Sequence, residues 1–563
     1  MREIFGDYME SVTEDVLAKI KRLENLKIAA EHDRNRSFIY SFNYFEYLNG
    51  KHLNEEGMNF EEIAKALVTL FEGLPNWNNP ETLLNVIPPP DIPALATTLY
   101  TKMFNANFSQ DKYAGLLLAT ELEVVKYLSE LIGWDWTKTM GTFTFGGKGT
   151  SLYAFKYALN RAYPEGKRKG YHGKEFFLVS SVKGHPCHAE VSDWLGIGYD
   201  NCVRVKCSKD GRIIVSEVEK VIRENIRKGK IFLGFNLCGG STVEFDIDPI
   251  KEIYDLREKI IEDYSLKYKP VIHVDSVVGW IWLFYNGYNF KLNPMGISKP
   301  ILDKINLMHS YISEIKYADS CGMDFHKTGY APYISSIIMF HDKKDFYYLG
   351  DKEQVVDVKR LQYGGYAPFE QTLELTRSSD GPIAAWTTIK TIGVNGYRQI
   401  IANSLESTQY FRDKINALPF AEVVNPDSSG VATLFILKPA DFIDKSLAEI
   451  LTMPKSETDK VKNYNLNFTR YVDELNEKGE THLAFTASDI FTVAGTNVCL
   501  GSIKAYPMSP HFNRESIDVI ISSITKLKER YDNDKEWTFK NLHYMPEDMV
   551  YRKWMLLHHG RGV

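Results

Sequence analysis

Apolar and polar positions along the 563-residue chain change their period near residue 115. Before that point the spacing is helical, with loops between. Asn59 and Glu62 form a capping pair ahead of EIAKALVTLF, whose apolar residues recur at helical intervals. Pro88-Pro89-Pro90 then interrupts regular structure. From 115 onward helical and strand patterns alternate. GLLLATELEVVKYLSELIG (115–133) and SLYAFKYALNRAY (151–163) read as helices, and VSEVEKVIRENIRKG (215–229) as an amphipathic one. FFLVS (176–180), IFLGFNL (231–237), VIHVD (271–275) and SSIIMF (335–340) are short apolar runs that read as buried strands.

Such alternation predicts an α/β fold: a mostly parallel central sheet with helices on both faces. After Trp386 a long helical stretch runs through TTIKTIGVNGYRQIIANSLESTQYFRDKI. ATLFILK (432–438) then reads as a strand, and ESIDVIISSITKLKERY as a closing helix. The organisation expected is a helical N-terminal segment (1–100), a large domain (101–400) and a small α/β C-terminal domain (401–563).

Composition narrows the function. Apolar residues make up 44% of the chain and charged residues 25%, enough to build cores of ordinary size. Net charge is −6 with no Lys/Arg tract, so the electrostatic footprint of a nucleic-acid binder is absent. So is the polybasic segment of a membrane-surface protein. Six cysteines are sparse and none has zinc-ligand spacing, which points to reduced thiols and no metal. The first residues carry acidic side chains and no apolar core segment of a signal peptide. The greasiest stretch, VVGWIWLF (277–284), is too short to span a bilayer. A cytoplasmic protein without a membrane partner is expected.

In open parallel sheets ligands bind beyond the carboxyl ends of strands, so the residues following each strand matter most. Asp275 ends the run VIHVD. ADSCGMDFHKTG, a short polar connection, carries Asp319, Ser320, Asp324, His326 and Lys327. A lysine amine forms the Schiff base of a carbonyl cofactor, and a carboxylate pairs with a pyridinium nitrogen. Taken singly, Lys327 reads as a solvated lysine and Asp275 as a cap; together they make a specific chemistry. Gly146, Gly147 and Gly149 precede a helix starting near Ser151, an arrangement whose backbone N–H groups bind phosphate. The spacing is neither that of a Walker loop nor GxGxxG. In SVKGHPCHAEVSDWLGIG, either His185 or His188 is placed to face a cofactor.

These segments, in this order, resemble the group II pyridoxal-phosphate-dependent decarboxylases, the family of aromatic amino-acid, glutamate and histidine decarboxylases. GTFTFGGKGTSLYAFKYALNRA (141–162) is similar to the family's glycine-rich segment, and SVKGHPCHAEVSDWLGIG (181–198) to its ring-stacking histidine segment. HVDSVVGW (273–280) is similar to its HVDAA segment, and ADSCGMDFHK (318–327) to its Schiff-base segment. The likeness covers about residues 95 to 390. It implies the aspartate-aminotransferase-like fold type I, pyridoxal 5′-phosphate as cofactor, and a homodimer whose N-terminal helices pack on the partner. By position, Lys327 would hold the cofactor as an internal aldimine, Asp275 would pair with its ring nitrogen, and His185 would stack on its ring. Gly147, Lys148, Gly149 and His326 would hold the phosphate, the first three mainly through backbone amides. Ser276 takes the place of an alanine beside the cofactor, and Asn236 that of a threonine. A loop tyrosine is implied in reprotonating the product; Tyr363 and Tyr366 flank Gly364-Gly365, which suits a lid hinge.

Several positions depart from the family. Phe145 replaces a small polar residue, Cys187 and Glu190 replace a serine and a lysine, and VCLGSIKAYP (498–507) lacks an arginine. Decarboxylation of an L-amino acid is the leading expectation, with an aromatic or large apolar substrate suggested by 33 Tyr and 31 Phe. The alternatives are another carbon–carbon lyase or aldehyde-forming reaction on the same fold, and a non-catalytic regulatory homologue.

Overall fold

The computed structural model describes residues 12–29, 42–53, 55–350, 357–487, 492–493, 496, 498–534 and 537. Twelve strands in it are β1 (Thr82–Leu83), β2 (Met140–Thr144), β3 (Phe176–Ser181), β4 (Cys202–Val205), β5 (Ile231–Cys238), β6 (Val271–Asp275), β7 (Ser320–Asp324), β8 (Ser336–Phe340), β9 (Ala421–Val423), β10 (Thr433–Leu437), β11 (Ala484–Ala487) and β12 (Ile503–Ala505). Seven make the large sheet, in the order β2-β8-β7-β6-β5-β3-β4. β7, β6, β5, β3 and β4 run parallel, as the apolar runs of β3, β5 and β6 predict. β8 is antiparallel to both of its neighbours. Two reversals restore the direction, so β2 points the same way as β7. The C-terminal ends of β2, β3, β6 and β7 therefore share one edge of the sheet.

The predicted strands at 176–180, 231–237 and 271–275 and the helix at 215–229 are present, the last as Val215–Arg227 with Val218 and Ile222 inward. Two readings are corrected. ADSCGMD is not a polar connection: β7 is buried along its whole length. Asp and Ser hide it from a hydropathy reading, yet both side chains are consumed inside the sheet. The helix after the glycines begins at Gly147 rather than near Ser151. The segment around VVGWIWLF folds as a buried 3-10 helix, Gly279–Tyr285, under the same sheet edge.

The C-terminal sheet has the order β1-β11-β12-β10-β9. Its outer strand β1 comes from the N-terminal segment and pairs in parallel with β11. No local pattern predicts a two-residue strand whose partner lies some 400 positions away. The helix Ile92–Lys102 turns Ala94, Thr98 and Thr101 inward and packs on the long helix Asp380–Asn416. That helix, interrupted at Gly393 (φ 63°), joins the two sheets; the expected boundary at residue 400 falls within it. Among the described residues, no helix is long and apolar enough to cross a membrane.

The β6–β7 pairing has its own lock. Asp319 donates its N–H to Ile272 O at 2.9 Å, and its Oδ2 accepts from Ile272 N–H at 2.8 Å. The same carboxylate pairs with Arg257, which is fully buried, and lies 3.3 Å from Lys269. Burial disfavours the charge on Asp319, but Arg257 and Lys269 outweigh it and hold the carboxyl below its ordinary range. Ser320 Oγ lies 2.9 Å from His273 Nδ1 across the same pair of strands. Removing the carboxylate leaves Arg257 buried without its main counter-charge. Asp319→Ala is expected to cost about 3 kcal/mol in urea unfolding of the apoprotein. Asp319→Asn, which keeps an acceptor for Ile272 N–H, should cost less.

Candidate active site

β6 ends in Asp275 and β7 in Asp324, with Asp275 level with Gly322 in the ladder. Lys327 follows β7 by three residues. Its turn is fastened to the chain leaving β6 by three bonds: Ser276 Oγ to Gly322 O at 2.7 Å, Thr328 Oγ1 to Val278 O at 2.8 Å, and Trp280 Nε1 to Asp324 O at 3.2 Å. The Ser276 hydroxyl thus donates to the backbone of β7.

Lys327 Nζ lies 2.9 Å from Asp324 Oδ2, and its side chain is 22% exposed where Asp324 is 1%. Burial works against the ammonium, but Asp324 and Asp275 more than offset it, so the amine is held above its ordinary value. Asp275 is buried, and burial opposes its charge too. The hydrogen bond from His188 and the nearby Lys327 ammonium outweigh that and hold its carboxyl well below the usual carboxylate range. An ionised Asp275 and a cationic Lys327 thus share one crevice.

The glycine segment opens on the same edge. Gly147 begins the helix Gly147–Ala162, and no side chain caps it. A Cβ on Gly147 would meet Asp324 Oδ2 at 2.9 Å and Val277 Cγ1 at 3.2 Å, so only glycine keeps that space open. Thr144 Oγ1 is buried there without a hydrogen-bond partner, while Asp324 Oδ2 has the Lys327 ammonium at 2.9 Å. Uncapped backbone amides at this helix start, with the unpartnered Thr144 hydroxyl beside them, fit a phosphorylated cofactor. Gly149 is the exception, because its N–H is used by Gly146 O at 2.9 Å. The Lys148 side chain is exposed and forms an ion pair with Glu190, which stands where the resembling family has a lysine.

His185 is exposed over the crevice, with Lys327 and Asp275 near enough for their charges to act on its ring. His188, one turn on, is fully buried and bonds Asp275 Oδ2 at 2.8 Å. His326 accepts Ser335 N–H at Nδ1 (3.1 Å) and turns Nε2 to within 3.6 Å of Asp324. Asn236 is buried and donates to Ser151 Oγ at 3.2 Å, leaving Oδ1 without a partner.

The two loop tyrosines separate. Tyr363 is 64% exposed in an open cleft lined by Asp357, Arg360, Leu361, Gln362 and Gly365. Tyr366 is 5% exposed, and its hydroxyl donates to Glu121 Oε1 at 2.9 Å. Glu121 is itself gripped by Arg377 at 2.6 Å, and Asp111 takes the N–H groups of Gly364 and Tyr366. The expectation that either tyrosine can swing on a Gly-Gly hinge is corrected for Tyr366, which is locked in a buried polar cluster. Tyr333 escaped the sequence reading. It is half exposed, its ring centroid lies 4.2 Å from that of His326, and the charges of Lys327 and Asp324 act on it. Only its position six residues after Lys327 hints at this.

The model of the pyridoxal-dependent decarboxylase conserved domain matches residues 47–288. Mouse CSAD in its apo form superposes with a TM-score of 0.73 at 19% identity, over 91% of this chain and 98% of that one. Oryza sativa TDC with PLP and tryptamine gives 0.72 at 13% identity, over 94% and 100%. Rhodiola rosea 4-hydroxyphenylacetaldehyde synthase gives 0.69 at 15%, over 93% and 99%. At such identities the superpositions establish the fold. Over residues 47–288 the chain matches the pyridoxal-dependent decarboxylase conserved domain, the domain of carboxy-lyases that work with pyridoxal 5′-phosphate.

Proposed function

We propose that this chain decarboxylates an L-amino acid with an aromatic or other large apolar side chain, giving the amine and CO2, with Lys327 as the attachment point of the cofactor. One observation carries the reading: the Lys327 amine lies against Asp324 and under the influence of Asp275, at the edge where the glycine cradle opens. Pyridoxal 5′-phosphate, when bound, supplies an electron-accepting ring for the pair left at Cα as CO2 departs. Asp275 would meet the ring nitrogen and keep its proton in place. His185 would lie over the ring. Gly147 and Lys148 would offer backbone amides to the phosphate, with Gly149 shaping the cradle and His326 and Asn236 walling it. Ser276 would act only by fixing the Lys327 turn. An ammonium is no nucleophile. Asp324 Oδ2, which no other donor reaches, is the atom placed to take a proton from Nζ. Of the two loop tyrosines, we assign delivery of a proton to Cα to Tyr363, because Tyr366 is locked.

The substrate class rests on what lines the opening. Phe145 is exposed against the glycine turn, and Tyr333 is exposed beside Lys327. Lys148 is paired with Glu190. Aromatic walls with that cation neutralised suit a large apolar side chain better than an acidic one. The relatives include both a TDC with tryptamine and an aldehyde synthase, so the identity of the product separates decarboxylation from aldehyde formation.

We place the chain in the cytoplasm as a homodimer. Cys187, Cys202, Cys207, Cys238 and Cys321 carry free thiols, as a reducing compartment would keep them. On the helix Ile92–Lys102, Ile92, Leu95 and Leu99 make an exposed apolar stripe, Ile92 at 79%, with Leu116 exposed nearby in the sequence. A stripe of this kind calls for a partner surface, and a second copy is the occupant we assign.

Three outcomes test these readings. Purified protein loaded with pyridoxal 5′-phosphate should absorb visible light, and Lys327→Ala should lose both that absorbance and all turnover. A panel of the twenty amino acids should yield CO2 and amine in equal amounts, fastest with an aromatic or large aliphatic substrate; aldehyde as the main product would overturn decarboxylation as the reaction. Light scattering should give twice the 64.6 kDa chain mass, and Leu95→Glu with Leu99→Glu should shift it toward the monomer.

A further inference from the structure

Behind Asp275 lies a chain of polar contacts that none of the roles above uses. Ser180 Oγ lies 2.7 Å from His188 Nδ1, and His188 Nε2 lies 2.8 Å from Asp275 Oδ2. Ser180 and His188 are fully buried and Asp275 nearly so. The three residues come from separate elements: Ser180 from β3, His188 from the helix Cys187–Trp194, and Asp275 from β6. β5 lies between the two strands, so the histidine bridges across the end of β5.

The chemistry allows one arrangement. An ionised carboxylate only accepts, so Nε2 must carry the proton of the His188–Asp275 bond. A neutral imidazole then presents Nδ1 as an acceptor, which needs a donor. Ser180 is the hydroxyl in place to give one. Burial keeps His188 below its ordinary value against the pull of Asp275, and the Arg204 charge acts in the same direction as burial. The ring also has a seat made for it. A Cβ on Gly184 would come within 2.9 Å of His188 Nδ1 and Cε1 and 3.0 Å of Ser180 Oγ. Only glycine at 184 lets the ring lie there.

We propose that Ser180, His188 and Asp275 form a hydrogen-bonded relay in which His188 is a positioning residue that holds Asp275 ionised and aimed at the cofactor's ring nitrogen, with Ser180 selecting its tautomer. The proposal rests on the reading of Asp275 given above. Cys187 Sγ, His188 and Asp275 also place their ligand atoms within 4.8 Å of one another. Burial pushes the Cys187 thiol up, so it stays protonated, and the His–Asp bond already occupies the atoms a metal would take. The cluster is therefore a relay and not an ion site.

The test compares two cofactors. Pyridoxal 5′-phosphate has the ring nitrogen; its 1-deaza analogue has a C–H there. Binding of each to apoprotein is measured by fluorescence titration in wild type, Asp275→Asn, Ser180→Ala, His188→Leu, His188→Gln and Gly184→Ala. The relay predicts that His188→Leu weakens pyridoxal phosphate by about 10- to 100-fold, the range for a hydrogen bond to a charged group. Ser180→Ala and Gly184→Ala should weaken it less, and His188→Gln, which can still donate to Asp275, should recover part of the loss. Affinity for the deaza analogue should stay constant across the series, which also shows that each variant folds. Equal weakening of both cofactors would make His188 a packing residue and overturn the relay. If Asp275→Asn discriminates between the cofactors and His188→Leu does not, the relay alone fails. If Asp275→Asn does not discriminate, the reading of Asp275 itself fails.

Discussion

The register between β6 and β7 is the constraint on which the site depends. Asp319 sets it from one end, by clasping Ile272 through both its N–H and its carboxylate, with Arg257 buried against it. A strand slip of one residue would turn every side chain to the opposite face. Were β7 to slip against β6, Asp324 would leave the crevice and Lys327 with it, parting both from Asp275. The site is thus positioned by charges buried at the far end of the strands, where they contact no ligand.

At the near end the electrostatics are those of a small cavity sharing few charges. Two carboxylates face one ammonium, with neutral imidazoles around them. Burial opposes ionisation at Asp275 and at Lys327; Asp275 keeps its charge chiefly through His188 and then Lys327, and Lys327 chiefly through Asp324 and then Asp275. In the proposed function, attaching the cofactor to Lys327 would remove one member of that set. The proton-accepting oxygen of Asp324 and the support of His188 behind Asp275 are what remain to keep the balance.

A second buried cluster governs what can move. Glu121 and Arg377 join the helix Ala119–Ile132 to the chain entering the long helix, and Tyr366 is drawn into that cluster. Fixing Tyr366 leaves Tyr363 exposed at the rim. Two tyrosines flanking a pair of glycines look equivalent along the chain, and they differ only because Glu121, some 240 residues upstream, reaches one of them.

The sequence by itself determined the layered α/β plan, since apolar strand runs alternating with amphipathic helices bury both faces of a sheet in only a few ways. It also determined the ingredients of the site. Asp275, Lys327, His185 and the glycines stand at strand ends, where a parallel sheet presents them to a ligand. Tertiary structure decided the rest. It turned the DS of ADSCGMD into a strand lock, gave the N-terminal segment a strand in the C-terminal sheet, spent Ser276 and Gly149 N–H on backbone bonds, and divided the two histidines of HPCH into one exposed ring and one buried behind Asp275. Each of these outcomes depends on a partner far away in sequence, and the pairing of distant polar groups in a buried interior has no periodicity for a local pattern to reveal.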